Sequence, residues 1–399
     1  MPSAAARVDD HESQETLVFD VARQKTAHGV DAVLSKMVAA SKTSPLRLMR
    51  DYVSLAFGPG KISFKDYNQL RLFDSAFWDG VDRKTVAGQR HVVAIHQTIN
   101  YRLDWWGLLE NKIASYSYLS TYGFPVIPLL AVYRENLKTG GALVVSNAQQ
   151  LHKVLTDEAN YPMFGKPIEG LQSLGSIGLR RYLPARKSIE TQDGRLVPLD
   201  AFVDQLRTHY PTGYVFQKFV SPHVAIRDLC GDRLATVRVV TLTTDAGPQV
   251  FRACWKIPAG ANTADNYWRK GNLLAQIDIG QGKVLRVVSG SGLDLTQHDC
   301  HPDTNVPLIG FQLPHWQRML GTVIEAARLM RHVPLIGWDV AALDEGPVIV
   351  EMNETPDFFL PQLADRRGVL EPELTDFMAQ QQHRFAEYKK SNRQSFKEF

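Results

Sequence analysis

The stretch from Gly337 to Pro356 limits the fold more than any other part of the chain. Two apolar runs, Val340 to Leu343 and Pro347 to Met352, flank the turn Asp344-Glu345-Gly346-Pro347. Strand-like runs on either side of such a turn predict a short antiparallel hairpin. Asp339 begins the first strand, and Glu351 and Asn353 lie two apart on the second, so they share a face. Two carboxylates and an amide oxygen form a hard donor set that suits Mg²⁺, which takes one or two carboxylates and completes its octahedron with phosphate and water. A hairpin edge with solvated acids has the same pattern, and the hairpin alone does not choose between the two.

Composition removes several classes. A chain of 399 residues exceeds what one hydrophobic core sustains, so subdomains around a cleft are expected. The formal charge of +3, from 45 basic and 42 acidic residues, implies neither a nucleic-acid nor a membrane partner. Cys230, Cys254 and Cys300 are odd in number and far apart, which supports no disulfide framework or paired zinc site. Met1 to Gln14 is polar, and no apolar stretch reaches the roughly 18 residues of a membrane span. A soluble, cytoplasmic protein is expected.

Along the chain, residues 1 to 15 read as a disordered tail. Apolar residues from Leu17 and Val21 to Leu55 recur at helical spacing and are interrupted at Thr43-Ser44-Pro45, predicting two amphipathic helices. Ser63 and Asp66 have the spacing of a helix cap, and Glu110 to Tyr122 reads as one helix. Strands are expected over Met163–Lys166, Tyr214–Phe219, Ala235–Leu242, Gln249–Lys256, Leu274–Ile279 and Val284–Val288. Their short connections favour antiparallel pairing and an α+β class over a doubly wound sheet.

Several residues along these strands have the chemistry of a phosphate site. Lys166 closes a short apolar run and precedes a loop from Glu169 to Gly178 containing Gly175 and Ser176. A lysine there offers a point charge, and a glycine loop offers backbone N–H groups to anionic oxygens; a surface lysine before a flexible loop reads the same way. Gln217, Lys218, Phe219 and Val220 end an apolar strand that could present main-chain groups to an adenine edge, although a buried strand without ligand is equally compatible. Arg238 lies among β-branched residues and therefore needs a carboxylate or phosphate partner, Glu351 and the nucleotide being the candidates. His298-Asp299-Cys300-His301 reads as a loop, because no second ligand cluster stands at zinc spacing.

A lysine, a glycine loop, a hinge strand, a strand arginine and then Asp…Glu-x-Asn, in that order, resemble an ATP-grasp enzyme. Phe57-Gly58-Pro59-Gly60-Lys61, Tyr67-x-x-x-Arg71-Leu72-Phe73-Asp74, Gln217 to His223, Thr236 to Thr241, Asp265-Asn266 with Lys270-Gly271-Asn272, and Gly337 to Pro356 further resemble the sugar-transfer-associated ATP-grasp family, across residues 45 to 375. The resemblance implies two α+β subdomains gripping ATP, with a helical N-terminal extension. Its divisions would be an extension over 1–90, a preceding region over 91–150, a small lid subdomain over 151–222 and a large subdomain over 223–399. It further implies that Lys112 and Lys166 hold nucleotide phosphates, that Gln217 to Val220 form the adenine hinge, and that Gly175 and Ser176 belong to the phosphate loop. Asp339, Glu351 and Asn353 would hold Mg²⁺, and Arg238 would neutralise charge at the transferred phosphoryl group.

The activity so implied is ATP- and Mg²⁺-dependent ligation of a small-molecule carboxylic acid to an amine through an acylphosphate. A phosphotransferase of the same fold, or a nucleotide-binding accessory protein of sugar transfer, are the alternatives. Trp268, Arg269 and Lys270 are candidate contacts for an anionic acceptor, and a solvent-exposed basic turn explains them equally well. Oligomeric state stays open, a homo-oligomer included.

Overall fold

The computed structural model describes residues 30–138, 141, 143–169 and 175–395. The expected tail, the first part of the N-terminal helical pattern with Leu17 and Val21, and loop residues Gly170 to Leu174 lie outside the described residues.

Helices come first. α1 (Val30–Ser41) and α2 (Pro45–Ala56) meet at the expected break, where the Ser44 hydroxyl accepts from the Arg47 N–H and Pro45 occupies the first turn. α3 (Phe64–Gln69) starts with a full capping box: Asp66 N–H donates to Ser63 Oγ at 3.2 Å and Ser63 N–H to Asp66 Oδ2 at 2.9 Å. α4 (Gln89–Ile99) follows. The single helix expected over Glu110–Tyr122 is instead two, α5 (Trp106–Glu110) and α6 (Lys112–Thr121). Asn111 is the reason: its side-chain oxygen accepts from the N–H groups of Ile113 and Ala114, ending one helix and starting the next.

The first sheet has the strand order β2-β1-β7-β3-β4-β5-β6. Its members are β1 (Leu129–Tyr133), β2 (Val144–Val145), β3 (Met163–Pro167), β4 (Ile177–Leu183), β5 (Ser188–Thr191), β6 (Leu196–Pro198) and β7 (Tyr214–Lys218). α7 (Ala148–Thr156) and α8 (Leu199–His209) join its core through Leu151, Leu155, Phe202 and Leu206. This sheet reaches back to Leu129, inside the stretch read as preceding the lid. The β1 register against β7, Tyr133 opposite Tyr214, and the pairing of β2 beside β1 make both strands part of the same layer.

α9 (Val224–Cys230) leads to the second sheet, of order β12-β11-β10-β9-β8-β13-β14. It comprises β8 (Thr236–Thr244), β9 (Gly247–Ile257), β10 (Leu273–Asp278), β11 (Lys283–Ser289), β12 (Thr296–Gln297), β13 (Leu335–Leu343) and β14 (Gly346–Asn353). All its pairings are antiparallel. α10 (Trp316–Leu329) covers one face, packing Met319, Val323 and Ala327 near Val237, Val239, Trp255 and Trp338. The other face meets the N-terminal helices and α11 (Phe359–Asp365) through Val240, Leu242, Phe251 and Leu274. α12 (Pro372–Ser395) closes against α4. Period-two alternation therefore divides the sheet: Val240 and Leu242 pack under the helices on the second face, and Arg238 shares that side of the strand. None of the described helices is long and apolar enough to cross a membrane.

Candidate functional site

A cavity of about 750 Å³ opens between the two sheets. Of the expected residues, Lys112, Lys166, Ser176, Gln217, Lys218, Phe219, Val220, Asp339 and Glu351 all line it. Positions far apart in sequence thus meet at one gap.

The hairpin forms as expected, with Asp339 directly opposite Glu351 and Gly337 opposite Asn353. Asp339 is buried and receives a bidentate pair from Arg238, Nε to Oδ1 at 2.6 Å and Nη2 to Oδ2 at 3.0 Å. Arg238 therefore pairs with Asp339 and not with Glu351, because β8 lies beside β13 and places Arg238 opposite Asp339. Burial alone would raise the Asp339 carboxyl, but the cations of Arg238 and Lys256 overcome it and hold the group far below the usual carboxylate range. Asp339 in turn keeps the buried Arg238 guanidinium charged.

Lys256 is the residue that sequence reasoning missed. It comes from β9, is buried on the cavity floor, and reaches Asp339 Oδ2 at 3.1 Å and Asp265 Oδ2 at 3.8 Å. Asp265 is fixed by the Thr236 N–H at 2.8 Å and by the Thr236 hydroxyl. Burial pushes its carboxyl up, opposed by Lys256. A lysine in the apolar run Phe251 to Ile257 was the available signal, the same one that singled out Arg238.

Lys112 opens α6 and its Nζ lies 3.4 Å from Glu351 Oε1. Lys166, at the end of β3, donates to the Tyr116 hydroxyl at 2.6 Å, and that hydroxyl donates to the Val350 carbonyl at 2.5 Å. Burial lowers the Lys166 ammonium, partly offset by Glu351 and Asp339. Three lysines on three elements thus converge on two carboxylates.

At the end of β7, Gln217 is buried and its amide donates to the Ile127 carbonyl at 3.3 Å. The N–H groups of Lys218 and Phe219 are bonded to Pro128 and Pro162 at 3.0 and 3.3 Å, so those two N–H groups do not face a purine edge; Phe219 and Val220 present side chains instead. Gly175 has φ +75°, accepts from the Tyr214 hydroxyl at 2.6 Å, and approaches Tyr210 so closely that a Cβ would collide with its hydroxyl. Ser176 follows it into the cavity wall, whereas Gly175, Arg238 and Asn353 lie behind the lining. His298 and His301 bond to Ser289 and to the Pro258 carbonyl, as loop residues.

Glu351, about one third exposed, and Asn353 on the same strand face offer oxygen donors whose chemistry fits a divalent cation. Asp339 brings further oxygens, engaged by two cations. Among the described residues, no three His, Cys, Asp or Glu side chains are grouped so as to hold a metal ion.

The order of these elements is matched by a family pattern over 193–378, described as sugar-transfer associated ATP-grasp. That stretch is just under half of the chain, and over it the chain resembles the family. The matched stretch holds β8 to β14 and α11, the half that contributes Arg238, Lys256, Asp339, Glu351 and Asn353. Among solved structures, the D-alanine-D-alanine ligase from Coxiella burnetii aligns at 13% identity over 72% of this chain and 60% of that one, with a TM-score of 0.40. The enzyme of the same name from Bacillus anthracis aligns at 14% identity over 71% and 70%, TM-score 0.39. An ADP complex of the N5-carboxyaminoimidazole ribonucleotide synthetase purK aligns at 13% over 63% and 46%, TM-score 0.36, so the chain spans about half of that structure's length. No curated protein matches the sequence.

Proposed function

We propose that this protein is an ATP- and Mg²⁺-dependent ligase that activates a small-molecule carboxylic acid as an acylphosphate and couples it to an amine. The convergence of Lys112, Lys166 and Lys256 on Asp339 and Glu351 at one end of the inter-sheet cavity supports this reading most strongly. The family match adds nucleotide use as the shared expectation.

In this reading the adenine lies at Gln217 to Val220, and the phosphates lie under Ser176 against the lysines. Lys112 and Lys166 bind phosphate oxygens as point charges, and Arg238 and Lys256 balance negative charge that develops as the phosphoryl group moves. Glu351 and Asn353, with Asp339, would hold Mg²⁺, which when bound supplies charge neutralisation between phosphates. Positioning and fixed cations account for the rate without a covalent protein intermediate. Cys230 and Cys254 support this: burial pushes the first thiol up to about 12 and the second higher still, so neither supplies a thiolate.

Hydroxylamine in place of the amine tests the chemistry. With ATP and pooled carboxylic acids, the protein is expected to form ADP and a hydroxamate, and Glu351→Ala is expected to abolish both. ADP with a phosphorylated hydroxyl compound and no hydroxamate would replace the ligase by a phosphotransferase; unchanged turnover in Glu351→Ala would remove Glu351 from the site.

A further inference from the structure

α6 is attached to both sheets. Its first N–H, from Lys112, donates to the Ile168 carbonyl just after β3 at 3.3 Å, which fixes the helix start to the first sheet. Tyr116 lies four residues on from Lys112 and so shares its side of the helix. Lys112 reaches Glu351 of β14, and the Tyr116 hydroxyl donates to the carbonyl of the preceding residue, Val350, at 2.5 Å. β14 is the last strand of the second sheet, and the Pro125 carbonyl holds the same strand by accepting from the Ile349 N–H at 2.9 Å. Tyr116 thus satisfies a polar group on a sheet edge.

The same hydroxyl accepts from Lys166 Nζ at 2.6 Å, and the ammonium lies 5.1 Å from the centre of the Tyr116 ring. Both residues are buried. A hydroxyl has one proton to give, and here it goes to Val350, so an oxygen lone pair is turned to the lysine. Burial pushes the Tyr116 phenol far above the usual tyrosine range, with Glu351 adding to the shift, so the proton stays on the oxygen at neutral pH. The direction of both hydrogen bonds is thereby set.

We propose that Tyr116 is a positioning residue for nucleotide binding: its hydroxyl holds the Lys166 ammonium at the phosphate end of the cavity and ties it to the strand that carries Glu351. The inference rests on the nucleotide reading above and deepens it. A lysine side chain is flexible, and ordering it at the moment of binding costs conformational entropy. Tethered to Tyr116, Lys166 is already ordered when the nucleotide arrives. An ammonium has three N–H donors, so the one given to Tyr116 leaves the others for phosphate oxygens. Because Glu351 follows Val350 on β14, one hydroxyl relates a cation of the first sheet to a carboxylate of the second.

The test is a double-mutant cycle read by calorimetric titration of the whole protein with Mg²⁺ and a non-hydrolysable ATP analogue, with adenosine as control. Tyr116→Phe keeps the ring and removes the hydroxyl. It is expected to weaken analogue binding about tenfold or more when Lys166 is present, and to have no further effect when added to Lys166→Met. Adenosine binding, which also reports that each variant is folded, is expected to stay as in the wild type. Unchanged analogue affinity in Tyr116→Phe, equal weakening with and without Lys166, or joint loss of analogue and adenosine would overturn the inference, the last by making Tyr116 a purely structural residue. Should Lys166→Met bind the analogue as the wild type does, the phosphate role of Lys166 fails and the inference falls with it; an effect of Lys166→Met with none of Tyr116→Phe removes the inference alone.

Discussion

At the scale of single residues, the centre of the site is a charge balance around Asp339. Its two oxygens accept from Arg238 and approach Lys256, all three buried. Asp339→Asn would leave two buried cations facing an amide, and breaking such a pair costs about 3–5 kcal/mol. Urea unfolding is expected to show that loss, and ATP consumption is expected to fall with it; a variant as stable as the wild type would mean that the triad carries no fixed charge. Asp339 and Arg238 were legible in the sequence because each is a charge inside an apolar strand. Their partnership was not, since the choice between Glu351 and Asp339 depends on β8 lying beside β13, a pairing made across about 100 residues. Lys256 escaped because it was read as the last residue of the strand from Gln249, although it obeys the same rule.

At the scale of elements, strands were legible and the division of helices was not. Each expected strand has a structural counterpart, displaced by a residue or two, because period-two alternation and turn residues mark strands locally. The break at Asn111 was hidden within a helical apolar pattern, since a cap is one side chain's hydrogen bond. That break matters functionally, because it places Lys112 at the start of α6 facing Glu351. The tightest turn leading into β4 is at Gly175, where φ is +75° and Tyr210 occupies the space of a side chain. Gly175→Ala imposes both a strained backbone, at about 1–3 kcal/mol, and displacement of Tyr210. Steady-state kinetics should show a raised KM for ATP, because Ser176 moves with its neighbour; an unchanged KM would separate this turn from the phosphate loop.

At the scale of the whole molecule, the N-terminal helices and the second sheet form one core, and His96 reports on it. It lies in α4, buried against Phe358 at 5.2 Å between ring centroids, and its Nε2 has no partner. Burial lowers its pKa from 6.5 to about 4, against a hydrogen bond to the Pro356 carbonyl. Between those values the unfolded chain takes up a proton that the folded chain refuses, so stability rises with pH across the window and is complete above it. Acidification from pH 6.5 to 4 is expected to cost about 3 kcal/mol from this residue, and His96→Leu should flatten that part of a melting-temperature profile. An identical profile in the variant would place the acid sensitivity elsewhere. The contact between α4 and the Pro356 turn is a matter of tertiary packing, with no local pattern to announce it.

The two sheets and the gap between them follow from strand order, and the central claim is that the gap holds ATP with its phosphates at the lysines. Calorimetric titration with Mg²⁺ and a non-hydrolysable ATP analogue, beside adenosine as control, tests that claim most directly in the wild type and in Lys166→Met. The wild type is expected to bind the analogue, and the variant to bind it about tenfold or more weakly while adenosine binding is unchanged. Equal affinity of the two proteins for the analogue would contradict the account.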